Sequence, residues 1–342
     1  MASDPAPDRR RLAAIVVTHN RLAQVRVTVD RLLRSSRVAR LFVVDNASTD
    51  GTGDWLSGLE DPRVAVIALA GNSGGAGGFA AGMRAALDHA DCDWLVLMDD
   101  DARPEPGALT AFAEADLAGW DAVAAAVRYP ADRGGGICEM NRPSRNPFWE
   151  RGGVGRTLRR GRDGYHIPVA FYDHEAGIQS IDVTSFVGFF VSVPAVERFG
   201  LPDAGLFLYG DDSLYTLGMR RGGGRIGFAP RIRFEHDCAT FEAAGPAGRL
   251  RPLWKVYYYH RNLLMLYRIA AGPWFWPALG VVLPRWLWRL RAYRGDRARA
   301  AALLLRAIAD GIRQRTAAPF AQVRAWAGSG VEDRPVMPPE QH

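Results

Sequence analysis

From residue 13 to residue 127, short apolar runs alternate with stretches that repeat at helical spacing. Ala13–Val17 reads as a strand, Leu22–Leu33 as a helix, Leu41–Val44 as a strand ending at Asp45, and Val64–Leu69 as another strand. Phe79–Ala90 repeats at helical spacing. Trp94–Met98 is a strand that runs into Asp99, Asp100 and Asp101; Leu109–Leu117 is helical and Ala122–Val127 is a further strand. Strands separated by helices predict an α/β fold, with a mostly parallel sheet between two helical layers. Ligands of such sheets bind beyond the carboxyl ends of the strands. The polar signals collect there: Thr18-His19-Asn20-Arg21, Asp45-Asn46, Gly71–Gly78 and Asp99–Asp101.

The later chain is organised differently. Pro130–Gly164 loses all periodicity and holds three consecutive glycines and many arginines, which predicts a long mobile loop over 130–164. Ile181–Val193 has strand character, Leu214–Arg220 is helical, and Arg225–Ala229 and Ile232–His236 read as short strands. From Pro252 onward the pattern is helical and rich in tryptophan and arginine. The expected organisation is a disordered N-terminus over 1–11, one α/β domain over 12–245, a helical region over 246–325 and a flexible tail over 326–342.

Composition narrows the partners. The net charge of the 342 residues is +6, and the basic surplus is arginine, since Lys255 is the only lysine. Basic chains favour nucleic acids, anionic membranes or phosphorylated substrates. The arginine clusters at Arg151–Arg162 and Arg285–Arg315 match no nucleic-acid-binding motif, so nucleic acid is not an expected partner. Cys92, Cys138 and Cys238 form no CxxC pair and stand far apart in sequence, which argues against a disulfide framework or a structural zinc site and points to a reducing cytoplasm. The polar N-terminus reads as no signal peptide. Pro273–Leu283 is about half the roughly 20 residues a membrane span needs. Its tryptophans and flanking arginines fit either a helix lying at a membrane interface or an ordinary helix packing on the core.

Three features carry chemistry. Consecutive carboxylates repel, and a cation or a proton relieves them. At a strand end alternate side chains face opposite ways, so Asp99 and Asp101 can converge while Asp100 points elsewhere. Such carboxylates suit Mn²⁺ or Mg²⁺ bridging to phosphate oxygens; the plain alternative is a solvated turn with Asp101 as a helix cap. The run Gly71–Gly78, between a strand and a helix, allows backbone N–H groups to approach a phosphate. Its Gly75-x-Gly77-x-x-Ala80 also matches a relaxed dinucleotide fingerprint, although such folds carry that motif in the first strand–helix turn and here it is the third. Asp211 and Asp212 open a helical segment, either as favourable first-turn acids or as a general base.

Together, VVTHNR (Val16–Arg21), VVDNASTDGT (Val43–Thr52), NSGGAGGFAAGM (Asn72–Met83), DWLVLMDDDARPEP (Asp93–Pro106), YGDDSLY (Tyr209–Tyr215), FEHD (Phe234–Asp237) and YYYHRN (Tyr257–Asn262) resemble family 2 glycosyltransferases of the GT-A fold, with the glycine-rich segment most similar to bacterial galactofuranosyltransferases. The resemblance implies a Rossmann-like nucleotide-diphospho-sugar transferase. In it Thr18, Arg21 and Asp45 hold the nucleoside, and the backbone of Gly74, Gly75, Gly77 and Gly78 lines the diphosphate. Asp99 and Asp100 face the nucleotide sugar, Asp99, Asp101 and His236 bind Mn²⁺ or Mg²⁺, and Asp212 is the base, with Asp211 the other candidate because relatives vary at that pair.

The implied activity is inverting transfer of galactofuranose from UDP-galactofuranose to a glycan or lipid-linked glycan, in cell-envelope polysaccharide synthesis at the cytoplasmic face of a membrane. The rival readings are a rhamnosyltransferase using dTDP-rhamnose, an NAD-dependent oxidoreductase, and a non-catalytic nucleotide-sugar-binding protein.

Overall fold

The computed structural model describes residues 10–89, 91–172, 177–238 and 249–328. The predicted N-terminal segment therefore lies outside the described residues except for Arg10 and Arg11, as do residues 329–342 of the predicted tail, Ala90 and His174. The chain divides into two compact units: Met1–Phe207 with Asp211–Cys238, and Leu208–Gly210 with Ala239–His342. The division falls at Cys238, a few residues before the expected 245, and assigns three residues ahead of Asp211 to the second unit.

In the first unit, the strands are β1 (Leu12–Thr18), β2 (Val38–Asp45), β3 (Val64–Ala68), β4 (Trp94–Asp99), β5 (Ala102–Pro104), β6 (Ala122–Arg128), β7 (Gln179–Ile181), β8 (Phe189–Ser192) and β9 (Ile226–His236). They form a single mixed sheet in the order β3-β2-β1-β4-β8-β6-β9-β5, with β7 also on β9. β1, β2, β3, β4, β6 and β9 run one way; β5, β7 and β8 run the other. Arg225–Ala229 and Ile232–His236 are thus one strand. The register jumps from Ala125 opposite Ala229 to Ala126 opposite Arg233, which leaves Pro230, lacking an N–H, in the bulge.

The helices are α1 (Leu22–Leu33), α2 (Thr52–Ser57), α3 (Gly74–His89), α4 (Ala108–Glu114), α5 (Gly153–Arg160), α6 (Val193–Phe199) and α7 (Asp211–Arg221). Side chains alternate across the sheet, so each strand feeds two cores. Ala14, Val16, Leu41 and Val43 meet Val25, Val29 and Leu32 of α1 and Phe112 of α4. Ile15, Val17, Phe42 and Val44 meet Phe79 and Met83 of α3 and Tyr215 and Met219 of α7. Two glycines set the depth of α3: a Cβ on Gly78 would stand 2.4 Å from Val17 Cγ1, and one on Gly82 2.5 Å from Ile15 Cγ2.

The segment read as a loop over 130–164 holds α5 and three short 3₁₀ turns, and Ser144 bridges to both His166 and Val183. Asn141, Arg142, Ser144 and Asn146 in it are buried. Polar side chains anchor it in place of apolar periodicity: Arg142 bonds Ile167 O at 3.1 Å, and Asn146 N donates to Asp182 at 2.7 Å.

The second unit contains α8 (Trp254–Ala271), α9 (Phe275–Arg289), α10 (Arg297–Arg313) and α11 (Phe320–Ala327). The last includes Trp326 and Ala327, which the sequence placed in the tail. Fully buried Arg261 lies against Tyr257 and Tyr258 at 5.1 and 5.0 Å from the ring centroids. Asn262 Nδ2 donates to Leu208 O and Tyr209 O at 3.0 and 2.9 Å. Phe275, Leu279 and Trp286 of α9 face inward, while Trp276, Val281, Leu287 and Trp288 are exposed. Among the described residues no helix is long and apolar enough to cross a membrane.

Candidate active site

The site lies at the carboxyl edge of the parallel strands. Register sets Thr18 of β1 beside Asp45 of β2, and Val17 beside Asp99 of β4. The chain turns through Asp100 and Asp101 into β5, where Ala102 pairs with His236 at the end of β9. That antiparallel pairing carries His236 to the acidic triplet across 135 residues of sequence, with Nε2 3.1 Å from Asp101 Oδ1. One donor atom from each of Asp99, Asp101 and His236 lies within 4.8 Å of the other two.

The triplet is sorted by partner. Asp100 accepts from Thr18 Oγ1 at 2.7 Å and from Arg21 Nη1 at 2.8 Å, and the same Nη1 lies 2.8 Å from Asp101 Oδ2. Thr28 Oγ1 donates to Asp100 O at 2.7 Å and so fixes the turn. Burial lifts Asp99 to about 7, helped by the Asp101 charge and opposed by His236. Burial also lifts Asp100, to about 6, against the pull of Arg21. Asp101 is driven the other way: burial is outweighed by the hydrogen bond and charge of His236 and by Arg21, and its carboxyl stays well below the usual range. Burial opposes protonation of His236, but Asp101 dominates and raises it to about 10. Arg21 and His236 are the cations that face the three carboxylates. Oxygen donors joined by one imidazole, once His236 gives up its proton, fit a divalent cation such as Mn²⁺ or Mg²⁺.

Asp211 and Asp212 occupy the first turn of α7. Burial raises both, Asp211 further through the charges of Asp212 and Asp99. Asp212 Oδ1 accepts from Ser213 N at 2.5 Å. A Cβ on Gly75 would come within 3.9 Å of Asp211 Oδ2, so this glycine keeps the space beside the acid pair open.

The glycines are placed differently from the sequence reading. Gly71 stays in the loop between β3 and α3, but Gly74, Gly75, Gly77 and Gly78 lie in the first turns of α3. Gly74 has φ +70°, and a Cβ there would overlap Phe207 O at 1.9 Å. The N–H of Ala76 is taken by Phe207 O, that of Gly74 by Asn72 Oδ1 and that of Ser73 by Asn46 Oδ1. Gly74, Gly77 and Gly78 therefore serve close packing, and part of the expected phosphate cradle is already hydrogen-bonded within the protein.

Residues 13–182 match the family described as glycosyl transferase family 2. The chain belongs to glycosyltransferase family 2. This glycosyltransferase is similar to the galactofuranosyltransferase GlfT1 of Mycolicibacterium smegmatis, with 28% identity over 240 residues, 68% of this chain and 72% of that protein. It is 29% identical to GlfT1 of Mycobacterium tuberculosis over 67% of this chain and 71% of that protein. Over a shorter stretch, 31% of this chain and 44% of the relative, it is 36% identical to the undecaprenyl-phosphate mannosyltransferase of Micrococcus luteus. Its fold is similar to that of the mannosyltransferase PcManGT from Pyrobaculum calidifontis, at TM-score 0.50 and 18% identity, covering 95% of this chain and 88% of that one.

In the glycosyltransferase, the sequence-predicted Asp99, Asp101 and His236 come together, Asp211 and Asp212 share a helix turn, and Asp45 sits at the same sheet edge, accepting from Ser48 N at 2.9 Å. Thr18 and Arg21 are engaged with Asp100. Sequence reasoning marked Asn46 as a strand-end polar signal without giving it a role, and missed Asn141. Asn46 ties β2 to α3 through Gly74 O and Ser73, and Asn141 Oδ1 lies 2.8 Å from His236 Nδ1. It also missed that Cys138 and Cys238 stand with their sulfurs 3.2 Å apart beside His236. The Asn46 signal was readable, since it follows the strand-ending Asp45; a lone asparagine inside an aperiodic segment gave none for Asn141.

Proposed function

We propose that this glycosyltransferase transfers galactofuranose from UDP-galactofuranose, with inversion, to a glycan or lipid-linked glycan in cell-envelope polysaccharide synthesis. The observation that carries the proposal is the approach of Asp99, Asp101 and His236 at a sheet edge that also holds Asp45, with a second acid pair at Asp211 and Asp212. The GlfT1 relatives support the choice of sugar.

Asp99, Asp101 and His236 would hold Mn²⁺ or Mg²⁺, which supplies charge stabilisation for the departing diphosphate. Asp45 receives the nucleoside at the end of β2. Thr18 and Arg21 act on the donor through Asp100, whose position they fix. Gly74 and Gly78 let α3 pack closely on Phe207 and Val17, and Gly75 faces Asp211, so the backbone of Gly74, Gly75, Gly77 and Gly78 would line the donor diphosphate. Asp212 removes the proton from the acceptor hydroxyl. That oxygen forms a bond to the anomeric carbon from the face opposite the nucleotide, the bond to the diphosphate breaks, and UDP leaves with inversion. Burial raises the proton affinity of both acids, Asp211 the more, which suits the pair to proton removal; the choice of Asp212 within it rests on the likeness of YGDDSLY (Tyr209–Tyr215) to family 2 glycosyltransferases.

The exposed Trp276, Val281, Leu287 and Trp288 of α9, with exposed Arg285, Arg289 and Arg291, form an apolar and cationic face suited to an anionic membrane surface where a lipid-linked acceptor resides. The deciding experiment incubates the protein with Mn²⁺, a lipid-linked glycan acceptor and either UDP-galactofuranose or dTDP-rhamnose, and analyses the product by mass spectrometry and anomeric NMR. A galactofuranosyl product of inverted configuration supports the proposal. Turnover with dTDP-rhamnose alone refutes the donor assignment.

A further inference from the structure

His236 stands between two donor sets. Its Nε2 faces Asp101 at 3.1 Å, while its Nδ1 lies 2.8 Å from Asn141 Oδ1 and 3.1 Å from Cys238 Sγ. Cys238 Sγ is 3.2 Å from Cys138 Sγ, and Cys138 Sγ donates to Asn141 Oδ1 at 2.9 Å. Both thiols are buried and neither is cross-linked. One donor atom from each of Cys138, Cys238 and His236 lies within 4.8 Å of the other two.

We propose that Cys138, Cys238 and His236 Nδ1 form a second metal site, for a thiophilic divalent ion such as zinc, and that filling it removes His236 as a ligand for a metal held by Asp99 and Asp101. The two donor sets differ in character. Carboxylates with open positions suit Mn²⁺ or Mg²⁺, whereas two thiolates and an imidazole suit zinc. Each also has the outer partner such a site needs. When Nε2 serves the acidic side, Nδ1 carries the proton and gives it to Asn141 Oδ1. When Nδ1 serves the sulfur side, Nε2 carries the proton and gives it to Asp101, which makes a carboxylate–histidine–metal arrangement.

A neutral imidazole has one lone pair and one N–H, so the two uses exclude each other. On binding, the protons of both thiols and of Nδ1 pass to solvent. Two Zn–S bonds of about 2.3 Å at a tetrahedral angle set the sulfurs about 3.8 Å apart, so they separate by roughly half an ångström from their present contact. Asn141 Oδ1, which touches both Cys138 and His236, is placed to fill the fourth position.

The second half of the proposal rests on Asp99, Asp101 and His236 being the donor-metal site; the first half does not. The test titrates metal-free, full-length protein with Co²⁺, a spectroscopic stand-in for zinc. One equivalent should give a thiolate-to-cobalt charge-transfer band that Zn²⁺ abolishes and that Cys138→Ser lacks. One equivalent of Zn²⁺ should also weaken Mn²⁺-dependent UDP binding by at least about tenfold in the wild type and not in Cys138→Ser.

Absence of the band, or its persistence in Cys138→Ser, overturns the site. Equal zinc inhibition in both proteins overturns the coupling and places zinc on the carboxylates. UDP binding that ignores Mn²⁺ in every variant overturns the donor-metal reading and the coupling with it, while the cobalt band still decides the sulfur site. If Cys138→Ser does not fold, the wild type decides: zinc should protect Cys138 and Cys238 from iodoacetamide and leave the half-buried Cys92 reactive, and equal labelling of all three overturns the site.

Discussion

Arg21→Ala tests whether the acidic triplet is held together by charge. In the native protein one guanidinium nitrogen meets Asp100 Oδ1 and Asp101 Oδ2, both at 2.8 Å, and both carboxylates are at least nine-tenths buried. Removing one partner of a buried ion pair costs about 3–5 kcal/mol, because the charge left behind has neither water nor a counterion. The Arg21 side chain is 24% exposed, so solvent reaches part of the pair and the lower figure applies. A loss of about 3 kcal/mol in a unit of this size lowers Tm by about 6–9 °C.

The pH dependence gives a sharper signature. Asp100 already sits at about 6 in the folded protein, above its unfolded value of 3.8. A carboxyl raised on folding binds its proton more tightly in the native state, so stability falls as pH rises from the unfolded value through the folded one. Without Arg21 the folded value climbs further and the window widens upward. The loss in Tm, measured by differential scanning calorimetry in chelator, is therefore expected to be smaller at pH 5, where only the pair with the still-ionised Asp101 is lost, than at pH 8, where both pairs are. An equal loss at both values, or a larger one at pH 5, would refute the charge argument and reduce Arg21 to a packing residue.

Four further outcomes are expected. Asp212→Asn should lower kcat by about 10²–10⁴-fold with UDP affinity unchanged, as measured by initial rates and calorimetry; full activity would move the base to Asp211. Gly82→Ala, whose Cβ would stand 2.5 Å from Ile15 Cγ2, should cost about 1–3 kcal/mol in urea unfolding, and an unchanged midpoint would show that α3 shifts freely. Because His236 holds its proton up to about 10 and Asp99 up to about 7, Mn²⁺ must displace protons; its affinity should rise from pH 6 to pH 8 in titrations of the free enzyme, and a flat profile would exclude these ligands. Replacing exposed Trp276 and Trp288 with serine should reduce co-sedimentation with anionic vesicles and leave turnover of a water-soluble acceptor intact; unchanged sedimentation would remove α9 as the contact.

The sequence by itself determined the parts of the protein that depend on local order. Strand and helix periods are set by which neighbours a residue buries, so β1, β2, β4, β6 and α1 were legible within a residue or a few, as was the sheet edge where Asp45 and Asp99 fall. Local charge also exposed the acidic triplet and the acid pair that opens α7. What only the tertiary structure decided are the meetings of distant segments. His236 reaches Asp101 because β5 runs antiparallel to β9, and Cys138 reaches Cys238 across 100 residues because β6 lies beside β9. Neither adjacency leaves a trace in spacing. The same holds for direction: Arg21 turns in to the carboxylates and Gly78 faces Val17, since burial and sheet register, rather than residue type, select what a side chain or a missing one is for.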